Sequence, residues 1–301
     1  MRLAPLLVLA TPALAEPRVL ADFGPTQSLV AIVMGDRGTP GLIVPQGGSP
    51  HESALRPSEA AALSEADVVV WIGPALTPWL GEALPSLAPD ARVVTLLDAP
   101  GWEPLPAREG ADLAPHDDDD QGPEHADADA GATDPHAWLD PAVAAAWLDP
   151  IAEALSAADP EGAAAYRANA EAGRAELLAL REEVAARLAP RAGAGYAVGH
   201  DALQYFERAA GLPAAWAIAP FDGGSPAPMG VAALREAVLG GEVACVLTDP
   251  ETGDAWAGTL GEGTALRSAR MDPEGRFLEP GPGLYPALVR GLADALDACL
   301  S

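Results

Sequence analysis

DPEGAAAYRANAEAGRAELLALREEVAARLA, residues 159–189, is the stretch on which the fold turns. Asp159 can cap a helix, Pro160 suits a first turn, and apolar residues recur at Leu177, Leu180, Val184 and Leu188 among Ala, Glu and Arg. Pro190 and Gly193 then stop the run. About 30 residues in a helix span roughly 45 Å, the length of a small lobe. The pattern predicts one rigid helix over 159–190, the alternative being two shorter helices that break at Gly173.

On either side of that helix the chain repeats one theme. Short apolar runs, Arg18–Phe23, Gly41–Val44, Val68–Ile72 and Arg92–Leu96, alternate with helical segments beginning near Gln27, Pro57 and Pro78. The theme resumes with Gly195–Val198, Ala214–Ala219, Ala244–Thr248 and Ala265–Met271. Near-continuous apolar strands joined by helices indicate parallel sheets covered on both faces. The expected fold is therefore α/β: two lobes, 16–158 and 191–301, each with a central, mostly parallel sheet flanked by helices and joined by the helix 159–190. A length of 301 residues, against a typical domain of about 150, fits that division.

The charge is one-sided. Against 44 acidic residues stand 17 basic ones, all of them Arg, for a formal net charge of -27. Such a chain cannot neutralise phosphates, which excludes nucleic acid as a partner and disfavours anionic membrane surfaces, whereas small cations are attracted. An apolar fraction of 49% excludes wholesale disorder. One segment differs: ADLAPHDDDDQGPEHADADAGATDP, from Ala111, holds almost nothing to bury, so residues 111–133 read as a disordered acidic loop.

Met1–Ala15, MRLAPLLVLATPALA, has a positive start, an apolar run and a small-x-small end, the marks of a secretory signal peptide cleaved after Ala15. No other stretch reaches the roughly 20 apolar residues of a membrane span. In an oxidising compartment the pair Cys245 and Cys299 favours a disulfide over two buried thiols. Export and a monomeric state are the expectation.

The five histidines carry the chemistry. His51 follows the GLIV run after PQGGSP; His200 ends GYAVGH, just after the GYAV run; His136 lies in DPHAWLDP, just before a helix opened by Asp140 and Pro141. Asp272, in RMDPEG, again follows an apolar run. In open parallel sheets, ligands bind at the carboxyl ends of strands. Three imidazoles and a carboxylate form the donor set that zinc prefers. The remaining histidines, His116 and His125, sit with Asp117, Asp118, Asp119 and Asp120 in the acidic loop, whose mixed donors suit loose metal capture as well as plain solvation. Of the tryptophans, Trp138 could wall the site from two residues beyond His136. Glycine-rich nucleotide motifs and HExxH are absent, which removes the usual sequence support for nucleotide binding and for a zinc hydrolase, although three histidines with an open fourth position also describe a secreted hydrolase.

The ordered motifs SPHESALRPSEAAALSEADVVVWIGPALTPWL (49–80), DPHAWLDP (134–141), GHDALQYFERAAGL (199–212) and SARMDPEG (268–275) resemble those of the periplasmic zinc-binding proteins that serve zinc ABC importers, across essentially the whole mature chain. The acidic loop and the cysteine pair resemble that family's too. The resemblance implies a receptor of the cluster A-I type that holds Zn(II) between its lobes and delivers it to an inner-membrane permease. It implies His51, His136, His200 and Asp272 as ligands, with Asp249, in CVLTDPE, behind them or as a helix cap. Manganese receptors of that group carry a carboxylate where His200 stands, so histidine favours zinc over a manganese or iron cargo. Pro50 occupies the place where some relatives have a ligating Glu, and MDPEG replaces the usual LDPLG, leaving water as the alternative to Asp272.

Overall fold

The computed structural model describes residues 16–51, 54–108 and 133–301. The segment Met1–Ala15 and the loop residues His116, Asp117, Asp118, Asp119, Asp120 and His125 lie outside the described residues.

In the first lobe, strands β1 (Val19–Ala21), β2 (Gly41–Leu42), β3 (Val68–Trp71) and β4 (Arg92–Thr95) alternate with helices α1 (Gly24–Met34), α2 (Pro57–Ser64) and α3 (Pro78–Leu87). They form a sheet of order β2-β1-β3-β4, parallel at every pairing. The second lobe repeats the plan. Strands β5 (Tyr196–His200), β6 (Trp216–Ala219), β7 (Cys245–Thr248) and β8 (Arg267–Arg270) are ordered β6-β5-β7-β8, again all parallel. Between those strands lie α6 (Gln204–Ala210), α7 (Pro228–Gly240) and α8 (Ala255–Gly261). In both sheets the connections diverge to opposite sides at the first strand, which opens a crevice at the carboxyl ends of β1 and β3 and of β5 and β7.

Strand side chains alternate between two environments. Val68 and Val70 face the central core while Val69 and Trp71 join an outer cluster with Leu63, Leu80 and Leu84. Likewise Tyr196 and Val198 face inward while Ala197 packs outward with Ile218, Leu234 and Val246. The inward faces of the two sheets share one continuous core, filled by α1 and by three long helices: α4 (Pro141–Ala158), α5 (Ala163–Leu188) and the C-terminal α9 (Leu284–Cys299). α1 is buried along almost its whole length, which explains why its sequence carries no charged residue.

The long helix differs from expectation at its start. Asp159 terminates α4 instead of opening α5: its carboxylate accepts the Gly162 N–H at 3.2 Å and the Tyr166 hydroxyl at 2.8 Å, and pairs with Arg37 at 2.7 Å. Residues 160–162 turn the chain, so α5 has 26 residues and forms a hairpin with α4 before reaching the second lobe. It does not break at Gly173, which is buried against α1 and α4: an added Cβ would lie 2.6 Å from Ile32 Cγ2 and 3.0 Å from Leu148 Cδ1.

α9 fastens the lobes together. At its start the Tyr285 N–H donates to Ser28 Oγ on α1 at 3.0 Å, and the Tyr285 hydroxyl donates to the Trp138 carbonyl at 2.6 Å. At its end Cys299 is disulfide-bonded to Cys245, the first residue of β7, with Cα atoms 5.7 Å apart.

Candidate metal centre

Each histidine of interest is delivered by a strand end or a tight turn. β2 continues its pairing past Leu42, with Ile43 N–H on Ala21 O at 2.8 Å and Val44 N–H on Asp22 O at 2.7 Å. The PQGGSP turn then carries His51 back over the sheet edge. It is pinned by Trp79 Nε1 donating to Pro50 O at 3.1 Å and by the His51 N–H donating to Ser49 Oγ at 3.1 Å. His136 precedes a single 3-10 turn, Ala137–Leu139, that drops Trp138 into the core before Asp140 caps α4 through the Ala142 N–H at 2.8 Å. His200 is the last residue of β5, at the point where the second sheet reverses its order.

Two of the rings are oriented by one device used twice. Asp134 Oδ1 accepts the His136 main-chain N–H at 2.9 Å and lies 2.8 Å from its Nδ1. Asp249 Oδ2, just past β7, accepts the His200 N–H at 3.1 Å and lies 3.0 Å from its Nδ1. Asp249 is fixed in turn through Oδ1 by the N–H groups of Glu251 at 3.0 Å and Thr252 at 2.9 Å. Glycine at 199 is what admits that turn, because a Cβ there would collide with the Asp249 carboxylate and the Thr252 hydroxyl. With Nδ1–H held by a carboxylate, the lone pair of each ring sits on Nε2.

The three rings meet there. Their centroids lie 5.6 Å apart for His51 and His136, 6.0 Å for His51 and His200, and 5.4 Å for His136 and His200. One ligand nitrogen from each falls within 4.8 Å of the others. All three Nε2 atoms are buried without a hydrogen-bond partner. Burying polar atoms unpaired costs about 1–3 kcal/mol each, so a group of converging lone pairs describes a cation site. Burial, with His136 and His200 alongside, pushes the His51 ring down to about 3, and burial holds His136 well below the ordinary histidine value. Both are therefore neutral donors at physiological pH. Burial would lower His200 as well, but its hydrogen bond to Asp249 and that carboxylate's charge raise it overall.

The Trp138 ring lies 5.1 Å from that of His136, and its Nε1 donates to Pro273 O at 2.9 Å across to the second lobe. Asp272, which the resemblance implies as a ligand, is engaged by the main chain. Like Glu274, it lies outside the group of donors gathered within 4.8 Å; its Oδ1 accepts the Arg276 N–H and its Oδ2 the Phe277 N–H, each at 2.9 Å, so the carboxylate builds the turn after β8. Glu274, buried to 4% exposure, has Oε1 3.9 Å from His51 Nε2. Burial pushes its carboxyl up to about 7, against the opposing pull of Arg276. Sequence reasoning passed over Glu274 and Asp134. The signal for Asp134 was present in DPH, where an Asp two residues ahead of a histidine can turn back on that residue's N–H.

Two sheets meeting over a buried set of imidazoles define a class, the two-lobed metal-binding receptors. The chain belongs to the family described as zinc-uptake complex component A, periplasmic (ZnuA), which it matches over residues 19–299. It is 39% identical over 320 residues to the high-affinity zinc uptake system protein of Paracoccus denitrificans (strain Pd 1222), covering 97% of this chain and 94% of that one. It is 35% identical over 305 residues to the protein of the same description from Brucella suis biovar 1 (strain 1330), covering 94% and 91%. A crystal structure of ZnuA shares the fold with a TM-score of 0.78, at 23% identity, over 95% of this chain and 100% of that chain.

Proposed function

We propose that this chain is the periplasmic receptor that captures Zn(II) in the cleft between its lobes and delivers it to an ABC-type importer in the inner membrane. The observation that carries the reading is the convergence of the buried, unpartnered Nε2 atoms of His51, His136 and His200. Nitrogen donors suit zinc, whereas manganese favours oxygen, so an imidazole set selects against a manganese or iron cargo. Family membership and the zinc uptake role in the names of the Paracoccus and Brucella relatives support the same cargo. No helix among the described residues is long and apolar enough to cross a membrane. Export by cleavage after Ala15 and a monomeric state belong to the same proposal. The acidic loop would concentrate zinc before it enters the cleft, its net charge of one sign drawing the ion in.

The test is uptake. A bacterial strain lacking its own zinc receptor, supplied with this chain and the matching importer, should regain growth under zinc limitation. His136→Ala should abolish that rescue, and removing residues 111–132 should weaken it only at the lowest zinc levels. Undiminished rescue by His136→Ala would contradict the assignment.

A further inference from the structure

The three imidazoles leave a tetrahedral ion one donor short, and the chain after β8 offers two acids two residues apart. Asp272 is engaged: both of its oxygens hold main-chain N–H groups of its own turn. Giving either to a metal would release Arg276 N–H or Phe277 N–H. Glu274 is engaged on one side only. Its Oε2 is paired with Arg276 Nε, while its Oε1 is buried, has no hydrogen-bond partner, and lies 3.9 Å from His51 Nε2. Two donors each about 2.0 Å from a tetrahedral ion lie about 3.3 Å from each other, so a small side-chain adjustment brings Oε1 into the shell.

Arg276 explains why this carboxylate is held where it is. Its guanidinium also pairs with Glu251, which accepts the Ser49 hydroxyl. Glu251 follows Asp249, which orients His200, and Ser49 Oγ accepts the His51 N–H. One chain of charged hydrogen bonds thus links the turns that carry His51, His200 and Glu274, with Arg276 at its centre.

We propose that Glu274, through Oε1, is the fourth ligand of the metal, completing an imidazole-three, carboxylate-one shell, and that Asp272 shapes the turn that presents it. The proposal rests on the zinc reading given above and adds to it the identity of the closing donor. The charged shell of a carboxylate, in place of a water, leaves no open coordination position, as befits a carrier.

The experiment compares wild type, Glu274→Gln and His136→Ala, each prepared metal-free from the full mature chain. Zinc affinity is read by competition with a chromogenic chelator, and coordination by the visible spectrum of the cobalt(II)-substituted protein. The expected result is that Glu274→Gln weakens zinc by about tenfold or more and changes the cobalt spectrum, the ligand loss exceeding the lower bound for loss of a supporting residue. Zinc affinity and cobalt spectrum identical to wild type in Glu274→Gln, with binding lost in His136→Ala, would overturn the proposal and leave the zinc reading intact. Failure of the wild type itself to bind zinc would overturn both. A zinc-loaded crystal structure of the wild type, with the ion located by anomalous scattering, decides the matter even if the variant folds poorly. A Glu274 oxygen at about 2.0–2.2 Å from zinc supports the proposal, and Asp272 or water at that distance overturns it.

Discussion

Asp134 and Asp249 each accept the main-chain N–H of one histidine and hold its Nδ1, so neither ring can turn without breaking its bond to a carboxylate that the main chain itself fixes in place. Losing a partner of that kind lowers metal affinity by about 10- to 100-fold. Asp249→Ala should therefore weaken zinc within that range while the stoichiometry in a chelator titration stays at that of the wild type; an unchanged affinity would show that His200 needs no support. Asp22, at the corresponding reversal point of the first sheet, illustrates a different use of a carboxylate. It accepts the Ile72 N–H at 2.7 Å and the Phe23 N–H at 2.9 Å, and burial pushes it up to about 7 from 3.8. The fold favours its protonated form, so the stability it contributes is full below about pH 4 and is lost as pH rises through about 7. Thermal melts of the metal-free protein should fall between about pH 5 and pH 8, and those of Asp22→Asn should fall less; parallel slopes would contradict the assignment. The imidazoles were legible because each follows a strand or turn signal in the chain. Which acid of MDPEG faces them was not, because that depends on whose oxygens the turn's own N–H groups consume.

At the scale of elements, the strands could be read from apolar runs because a parallel sheet buried on both faces requires them, and each run named in the sequence overlaps one observed strand, β5 extending past its run to His200. The start of α5 was misjudged for a physical reason. Asp159-Pro160 reads as a helix opening, yet the Asp159 carboxylate is drawn to Arg37 and Tyr166, contacts far away or seven residues on that no local pattern encodes. Gly173 is the other position where packing overrides local preference. Alanine gains about 1 kcal/mol over glycine in an exposed helix. Here its Cβ would lie 2.6 Å from Ile32 Cγ2, and overpacking costs about 1–3 kcal/mol. Gly173→Ala should therefore leave the protein no more stable and up to about 2 kcal/mol less stable in urea unfolding; a clear gain would mean that α1 can move aside at no cost.

Over the whole molecule, the two sheets do not own separate cores. α1, α4, α5 and α9 fill one apolar interior that both inward faces share, and α9 is anchored to the first lobe at Tyr285 and to the second by the Cys245–Cys299 bond. Sequence periodicity reports which face of an element is apolar but not which neighbour covers it, so the two-lobe plan was visible and the shared interior was not. That interior sets the site: His51 and His136 come from the first lobe, His200 from the second, and the packing of both lobes on it sets their separation. A net charge of -27 draws cations in general and selects none. In the proposed function selection falls to the three nitrogens, and metal content tests it most directly. Protein purified without added metal, then challenged with zinc and manganese in competition, should hold zinc tightly at the cleft against excess manganese and lose it on His200→Ala. Preference for manganese, or full zinc affinity in the His200→Ala variant, would contradict the account.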